Sequence, residues 1–156
     1  MPAYHFVTEW DIPAPIEEIF VVIADSLSWP EWWRGVRSVR EIAPGDAAGI
    51  GVIRRYEWRS QLPYSLVFDM RSTVVEPPTR LSGVATGQLA GEGRWYLAPV
   101  PGGTHIRYEW DVRTTEWWMN LLAPIAKPFF VWNHDVIMSW GEQGLRRRLG
   151  LAPAAR

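Results

Sequence analysis

Thr104-His105-Ile106-Arg107-Tyr108-Glu109-Trp110-Asp111-Val112-Arg113 alternates without a fault. Ile106, Tyr108, Trp110 and Val112 fall on one face; His105, Arg107, Glu109, Asp111 and Arg113 fall on the other. One apolar face and one charged face at a period of two is a strand of an antiparallel sheet covered on a single side. Directly afterwards the period changes. Phe129, Phe130, Trp132, Val136, Ile137, Trp140 and Leu145 spread apolar residues over a wide helical arc, so this helix is covered on more than one side. A sheet curved around it would supply that cover.

Upstream of this strand the pattern is strand after strand. Val36 to Ile42, Val52 to Arg59, Tyr64 to Val75, Arg80 to Thr86 and Gly91 to Leu97 are separated by turn signals. The signals are Pro44-Gly45-Asp46, Pro77-Pro78 and Val100-Pro101-Gly102-Gly103. A first strand comes before them, with Tyr4, Phe6, Thr8, Trp10 and Ile12 on one face, and Pro13 ends it. Between it and Val36 lie two short helices. Pro15 suits a first helical position, and Ile16, Ile19, Phe20 and Ile23 give the spacing of an amphipathic helix over 15–24. Ser28-Trp29-Pro30-Glu31 reads as a capping box opening the second helix, which carries Trp32 and Trp33.

In the C-terminal third Thr114 or Thr115 can cap a helix, and Pro124 and Pro128 interrupt it. The expectation is a short helix near 116–123, a kink, and a main helix from about Pro128 to Leu149. Arg146, Arg147 and Arg148 suit its negative end and Gly150 its stop. Strands in a run with helices set apart from them define an α+β chain. One domain over 1–150 with a flexible tail over 151–156 is the expected organisation.

Composition narrows the function classes. The formal charge of −1 gives no excess that would favour nucleic acid or an anionic membrane. Without cysteine there can be no disulfide, thiolate metal site or cysteine nucleophile. Met1 to Asp11 lacks the pattern of a signal peptide, and no uncharged run approaches the ~20 residues that span a bilayer. A cytoplasmic location is expected. The eleven tryptophans exceed what packing alone requires, and an indole suits both a core and the wall of a pocket.

The order of elements resembles that of the START-related (SRPBCC) superfamily with its helix-grip fold. So do Glu9-Trp10-Asp11-Ile12-Pro13-Ala14-Pro15 entering a helix and Trp29-Pro30-Glu31-Trp32-Trp33-Arg34-Gly35-Val36 after it. The Gly-Gly-Thr turn before Tyr108-Glu109-Trp110, and Gly141 to Leu149 closing the last helix, add to the likeness. The chain looks most similar to members labelled polyketide cyclase/dehydrase-like. The resemblance implies a curved antiparallel sheet of about seven strands wrapped around a long C-terminal helix, enclosing a cavity for a hydrophobic small molecule.

On strand parity the cavity candidates are Arg54, Tyr56, Trp58, Phe68, Trp95, Tyr108 and Trp110. Phe130, Asn133, Ile137 and Trp117 would face them from the helical side. Arg54 could pair with a ligand carboxylate or phenolate, or else with Glu57 or Asp69 across the sheet. Asn133 could donate to a ligand carbonyl.

Catalytic signals are sparse, and no catalytic residue is assigned. His134-Asp135 lacks the further ligands a metal would need, because His5 and His105 have outward parity. The glycines of Gly87 to Gly93 lack the Lys-Ser/Thr of a phosphate loop and suit a bend in a sheet or close approach by a ligand. No metal and no cofactor are implied. Three functions remain: a carrier or sensor of an aromatic, polyketide-like or lipid molecule; a polyketide cyclase/dehydratase acting by substrate positioning; and an interaction module docking through Trp117, Trp118 and Met119.

Overall fold

A strand whose inward residues are Tyr4, Trp10 and Ile12 can bury them only if its own sheet curves around them and a helix covers that face. Both conditions are met. The computed structural model describes residues 3–154, so the tail expected at 151–156 is described only as far as residue 154, without regular structure, and 155–156 lie outside the described residues. The elements are β1 (Ala3–Ile12), α1 (Ile16–Ala24), a 3-10 turn (Ser26–Ser28), α2 (Trp29–Trp32), β2 (Val36–Ala43), β3 (Ile53–Trp58), β4 (Leu66–Glu76), β5 (Arg80–Gly87), β6 (Leu89–Val100), β7 (Gly103–Thr114) and α3 (Trp117–Arg148).

The seven strands form one antiparallel sheet in the order β1-β7-β6-β5-β4-β3-β2. Every neighbour from β2 to β7 is joined by a hairpin. Only the passage from β1 to β2 crosses the whole sheet, through α1 and α2, and it brings the helical layer to one face. This is the α+β helix-grip architecture that the sequence implied.

Register puts the large rings side by side. Tyr56 pairs with Phe68, Trp95 with Tyr108, and Phe6 with Trp110. The opposite face carries the ions: Arg55 grips Asp69 through two bonds of 2.8 and 3.1 Å, Arg94 reaches Asp111 at 2.7 Å, and His105 reaches Asp11 at 2.7 Å. His5 also bonds to Asp111 there, so both strand histidines have the outward placement that parity gave them.

Four local readings need correction. The C-terminal third is one helix of 32 residues, not a short helix and a kinked main one. A proline removes one helical N–H, which frees the carbonyls of Asn120 and Pro124. Pro124 and Pro128 lie on exposed ground, where water can take those bonds, while Met119 and Ala123 stay buried and anchor the first turns.

Ser28 is not a side-chain cap. It already has near-helical backbone angles (φ −91°, ψ −5°) as the end of the 3-10 turn, and its hydroxyl donates to Asp25 Oδ2 at 2.6 Å. Thr114 and Thr115 do not cap α3 either, because their hydroxyls donate to Asn120 Oδ1 (2.7 Å) and the Gly87 carbonyl (2.6 Å). Glu116 occupies the cap position, and Pro15 stands at the N-cap of α1 instead of its first helical position.

The C-terminal half of α3 docks on α2 through a notch of two glycines. A Cβ on Gly141 would lie 2.5 Å from the Trp33 ring, and one on Gly144 would lie 1.9 Å from the Trp32 carbonyl oxygen. The missing side chains let the Trp33 indole lie against the helix and donate to the Ile137 carbonyl at 2.9 Å. This contact fixes where the helical wall of the interior stands.

Candidate functional site

Between the inner face of the sheet and α3 lies a cavity of about 200 Å³. Ten of the eleven residues that parity and helical facing nominated are on its wall. Arg54, Tyr56 and Trp58 come from β3, Phe68 from β4, Trp95 from β6, Tyr108 and Trp110 from β7, and Phe130, Asn133 and Ile137 from α3. Trp117 is not among them; it is 73% exposed on the far side of α3. Met119, expected at the surface, is buried and lines the cavity.

The rings both plug and line. Trp10, Trp29, Trp33 and Trp95 interlock with centroid separations of 4.9–6.4 Å, and Trp32 stacks on Trp33 at 5.4 Å. Trp10 and Trp32 fill the core, whereas Trp29, Trp33, Trp58, Trp95 and Trp110 also reach the hollow. Space between them survives partly because of Gly93. A Cβ there would meet the Tyr108 hydroxyl at 2.8 Å and the Trp110 ring at 2.9 Å.

Two clusters of polar groups stand on the wall, apart from scattered hydroxyls such as those of Ser72, Ser82 and Thr114. At one, the Arg54 guanidinium donates from Nη1 to Ser26 Oγ (2.8 Å) and to the Ala24 carbonyl (3.2 Å), and Tyr56 also donates to Ser26 Oγ (2.8 Å). Arg54 pairs with neither Glu57 nor Asp69; its acidic neighbour is Glu41, at 3.9 Å from Nη2. The α1 end therefore clamps one side of the guanidinium and leaves Nε without a partner among the described residues. Burial raises the pKa of Tyr56, against the Ser26 bond and the Arg54 charge, so its phenol stays protonated.

At the other place, Asn133 accepts from Ser60, and His134 stacks on Phe6 with centroids 3.9 Å apart and planes 11° apart. Neither ring nitrogen of His134 has a hydrogen-bond partner among the described residues, and Asp135 stands 3.7 Å from Nδ1. Burial lowers its pKa to about 4 despite the opposing pull of Asp135, so the imidazole is neutral at physiological pH. Between the two places, burial holds the Tyr108 phenol far above its ordinary range, with Tyr56 adding to the shift. A neutral imidazole can take or give a proton, and buried phenols act as donors.

The sequence profile of a family described as "Polyketide cyclase / dehydrase and lipid transport" matches residues 3–150. The chain belongs to this family. No protein with a curated description matches it in sequence. Among solved structures it is similar to the Zhui aromatase/cyclase from Streptomyces sp. R1128, at 13% identity and a TM-score of 0.77 over 97% of this chain and 100% of that one. It is also similar to a START superfamily protein from Mycobacterium smegmatis (15% identity, TM-score 0.74, 92% of this chain and 97% of that one). A third likeness is to the di-domain ARO/CYC BexL of the BE-7585A biosynthetic pathway (18%, 0.69), where it covers 92% of this chain but only 50% of that one. At such identities these likenesses concern the fold alone, the helix-grip architecture that the motifs suggested.

Parity reasoning missed several wall residues. Tyr4 and Phe6 share the inward face of β1 with Trp10, so the alternation already contained them. Trp29, Trp33 and Ser26 come from the α1–α2 crossover, which has no long period to read. His134 adjoins Asn133 on α3, yet it reaches the cavity because this helix is covered over so wide an arc. No helix among the described residues is long and apolar enough to cross a membrane.

Proposed function

We propose that residues 1–150 form one ligand-binding domain that holds a hydrophobic small molecule of aromatic, polyketide-like or lipid character as a carrier or sensor. The observation that carries this reading is the hollow itself: about 200 Å³ walled largely by aromatic rings, with few polar groups. Sparse polar groups in an apolar pocket give orientation while the rings give affinity. A cavity of ~150 Å³ accommodates benzene, and most drug-sized pockets span ~300–1,000 Å³. The buried part of an occupant is therefore on the order of two fused rings, or an equal stretch of acyl chain. Arg54, with Nε unpaired among the described residues, suits a carboxylate or phenolate end.

Five tryptophans on the wall make binding visible. Titration with naphthoquinones, hydroxylated anthracenes and fatty acids should quench intrinsic fluorescence for at least one class. Gly93→Val, which pushes Tyr108 and Trp110 into the hollow, should weaken that binding more than tenfold while near-ultraviolet circular dichroism keeps a folded signature. A protein that no class quenches, and that native mass spectrometry shows without a co-purified molecule, would end the small-molecule reading.

A second reading, polyketide cyclisation or dehydration, is favoured by His134, whose neutral imidazole has no hydrogen-bond partner among the described residues and lies on the cavity wall. Positioning a folded polyketone in a near-attack geometry supplies roughly 7–11 kcal/mol of a barrier. His134 would then move the proton of an enolisable carbon, and Arg54 or Tyr108 would hold the enolate oxygen. On this reading a poly-β-ketone gives a product pattern that changes with His134→Gln and with Arg54→Met. A pattern identical to that of the spontaneous reaction leaves binding as the function.

A further inference from the structure

Cover on its inner side does not account for all of α3. Trp117, Leu121, Ile125, Phe129 and Trp132 follow one another at steps of four, four, four and three residues, and so lie along one line of the helix surface. They are 73%, 70%, 74%, 58% and 49% exposed, and Leu122, at 47%, flanks them. The line faces away from the cavity, since Met119, Asn133 and Ile137 on the opposite side are wall residues.

Taking ~150–250 Å² as the surface of a large apolar side chain, the stripe leaves on the order of 550–900 Å² of apolar surface in water. The largest patch on a typical soluble monomer is ~300–600 Å². Each partner of a standard protein–protein interface buries about 800 Å².

We infer that this stripe is the contact between two copies of the chain, paired about a two-fold axis through antiparallel α3 helices. Three features choose a second copy over a lipid surface. The stripe holds no charge, and charge is depleted at the centres of protein interfaces. Interfacial helices carry Lys and Arg beside their apolar face, but α3 has only Lys127 before Arg146, and its Nζ lies 5.8 Å from the Tyr4 ring centroid, on the body side. Such a stripe is also self-complementary when turned by a two-fold: with Ile125 on the axis, Leu121 meets Phe129 of the second copy. This inference does not depend on what the cavity holds.

Sedimentation velocity over a hundredfold range of concentration tests it. The wild-type chain should sediment at twice its 17.9 kDa and dissociate on dilution. Ile125→Glu should weaken self-association at least tenfold with circular dichroism unchanged. The chain has no cysteine, so the gentler variant Ile125→Cys gives a clean second test. It should cross-link to a disulfide dimer under mild oxidation, whereas the exposed control Ser139→Cys should not. A wild-type monomer at every concentration overturns the proposal, as does a monomer that floats with phosphatidylcholine vesicles. So does a dimer in which Ile125→Cys and Ser139→Cys cross-link equally.

Discussion

Gly144→Ala should lower the melting temperature by roughly 4–8 °C, although helix propensity alone predicts the opposite. In a helix interior alanine is favoured over glycine by ~1 kcal/mol. Here the added methyl would sit 1.9 Å from the Trp32 carbonyl oxygen, a backbone atom that no rotamer change can move aside. Either α3 lifts off α2 or α2 shifts, and both disturb the seat of Trp33, which is 1% exposed and bonded to the Ile137 carbonyl. Overpacking of this kind costs ~1–3 kcal/mol and occasionally more. The upper end of that cost, less the gain in propensity, is a net loss of about 2 kcal/mol, which corresponds to that shift in a chain of this size. Calorimetry on the variant, with exposed Gln143→Ala as the control, decides the matter. An unchanged or raised melting temperature would mean that the two helices do not touch as described.

The same notch shows why parts of this protein could be read from its residues and parts could not. β7 and β1 were legible because each strand has one wet face, so alternation records which side chains point in. The ten nominated residues that line the wall followed from that logic or from the inner arc of α3. Gly141 and Gly144 were visible only as the closing stretch of a helix, since a glycine that admits an indole has the same sequence signature as one that merely tolerates a helix. The continuous helix through Pro124 and Pro128 was hidden for a related reason. Proline breaks a helix when its freed carbonyls have no other partner, and solvent access cannot be judged before the surroundings are known. Ser28 offered a correct capping pattern, but a 3-10 turn had already taken it out of the extended conformation that capping needs.

Arg54 and His134 illustrate what the fold adds to a residue list. Parity put Arg54 on the inner face of β3, but only the crossover from β1 to β2 brings Ser26 and the Ala24 carbonyl to it. That clamp orients the guanidinium without neutralising it. His134 lies on the element that divides the two apolar environments of the molecule, cavity on one side and exposed stripe on the other. Any tilt of α3 that changes one face changes the other.

His134 should also make the folded state sensitive to mild acid. In the unfolded chain its imidazole titrates near 6.5, and in the folded protein burial lowers the pKa to about 4. Above pH 6.5 both states are neutral at this residue, and it adds nothing to the pH dependence. Between 6.5 and 4 the unfolded chain takes up a proton that the folded chain refuses, so unfolding gains and stability falls with pH. Each unit within that window is worth up to about 1.4 kcal/mol, giving about 3 kcal/mol across it for a side chain that is only 13% exposed. Urea unfolding at half-unit intervals from pH 7 to 4 should show this loss in the wild type, and His134→Phe should lose about 3 kcal/mol less over the same range. Exposed carboxylates titrate in both proteins, so the difference between the curves isolates the imidazole. Parallel curves would mean that His134 accepts its proton while folded, and so is reached by water or swung out from Phe6. A ligand that fills the hollow should deepen the acid loss further, because it removes what solvent the ring still touches.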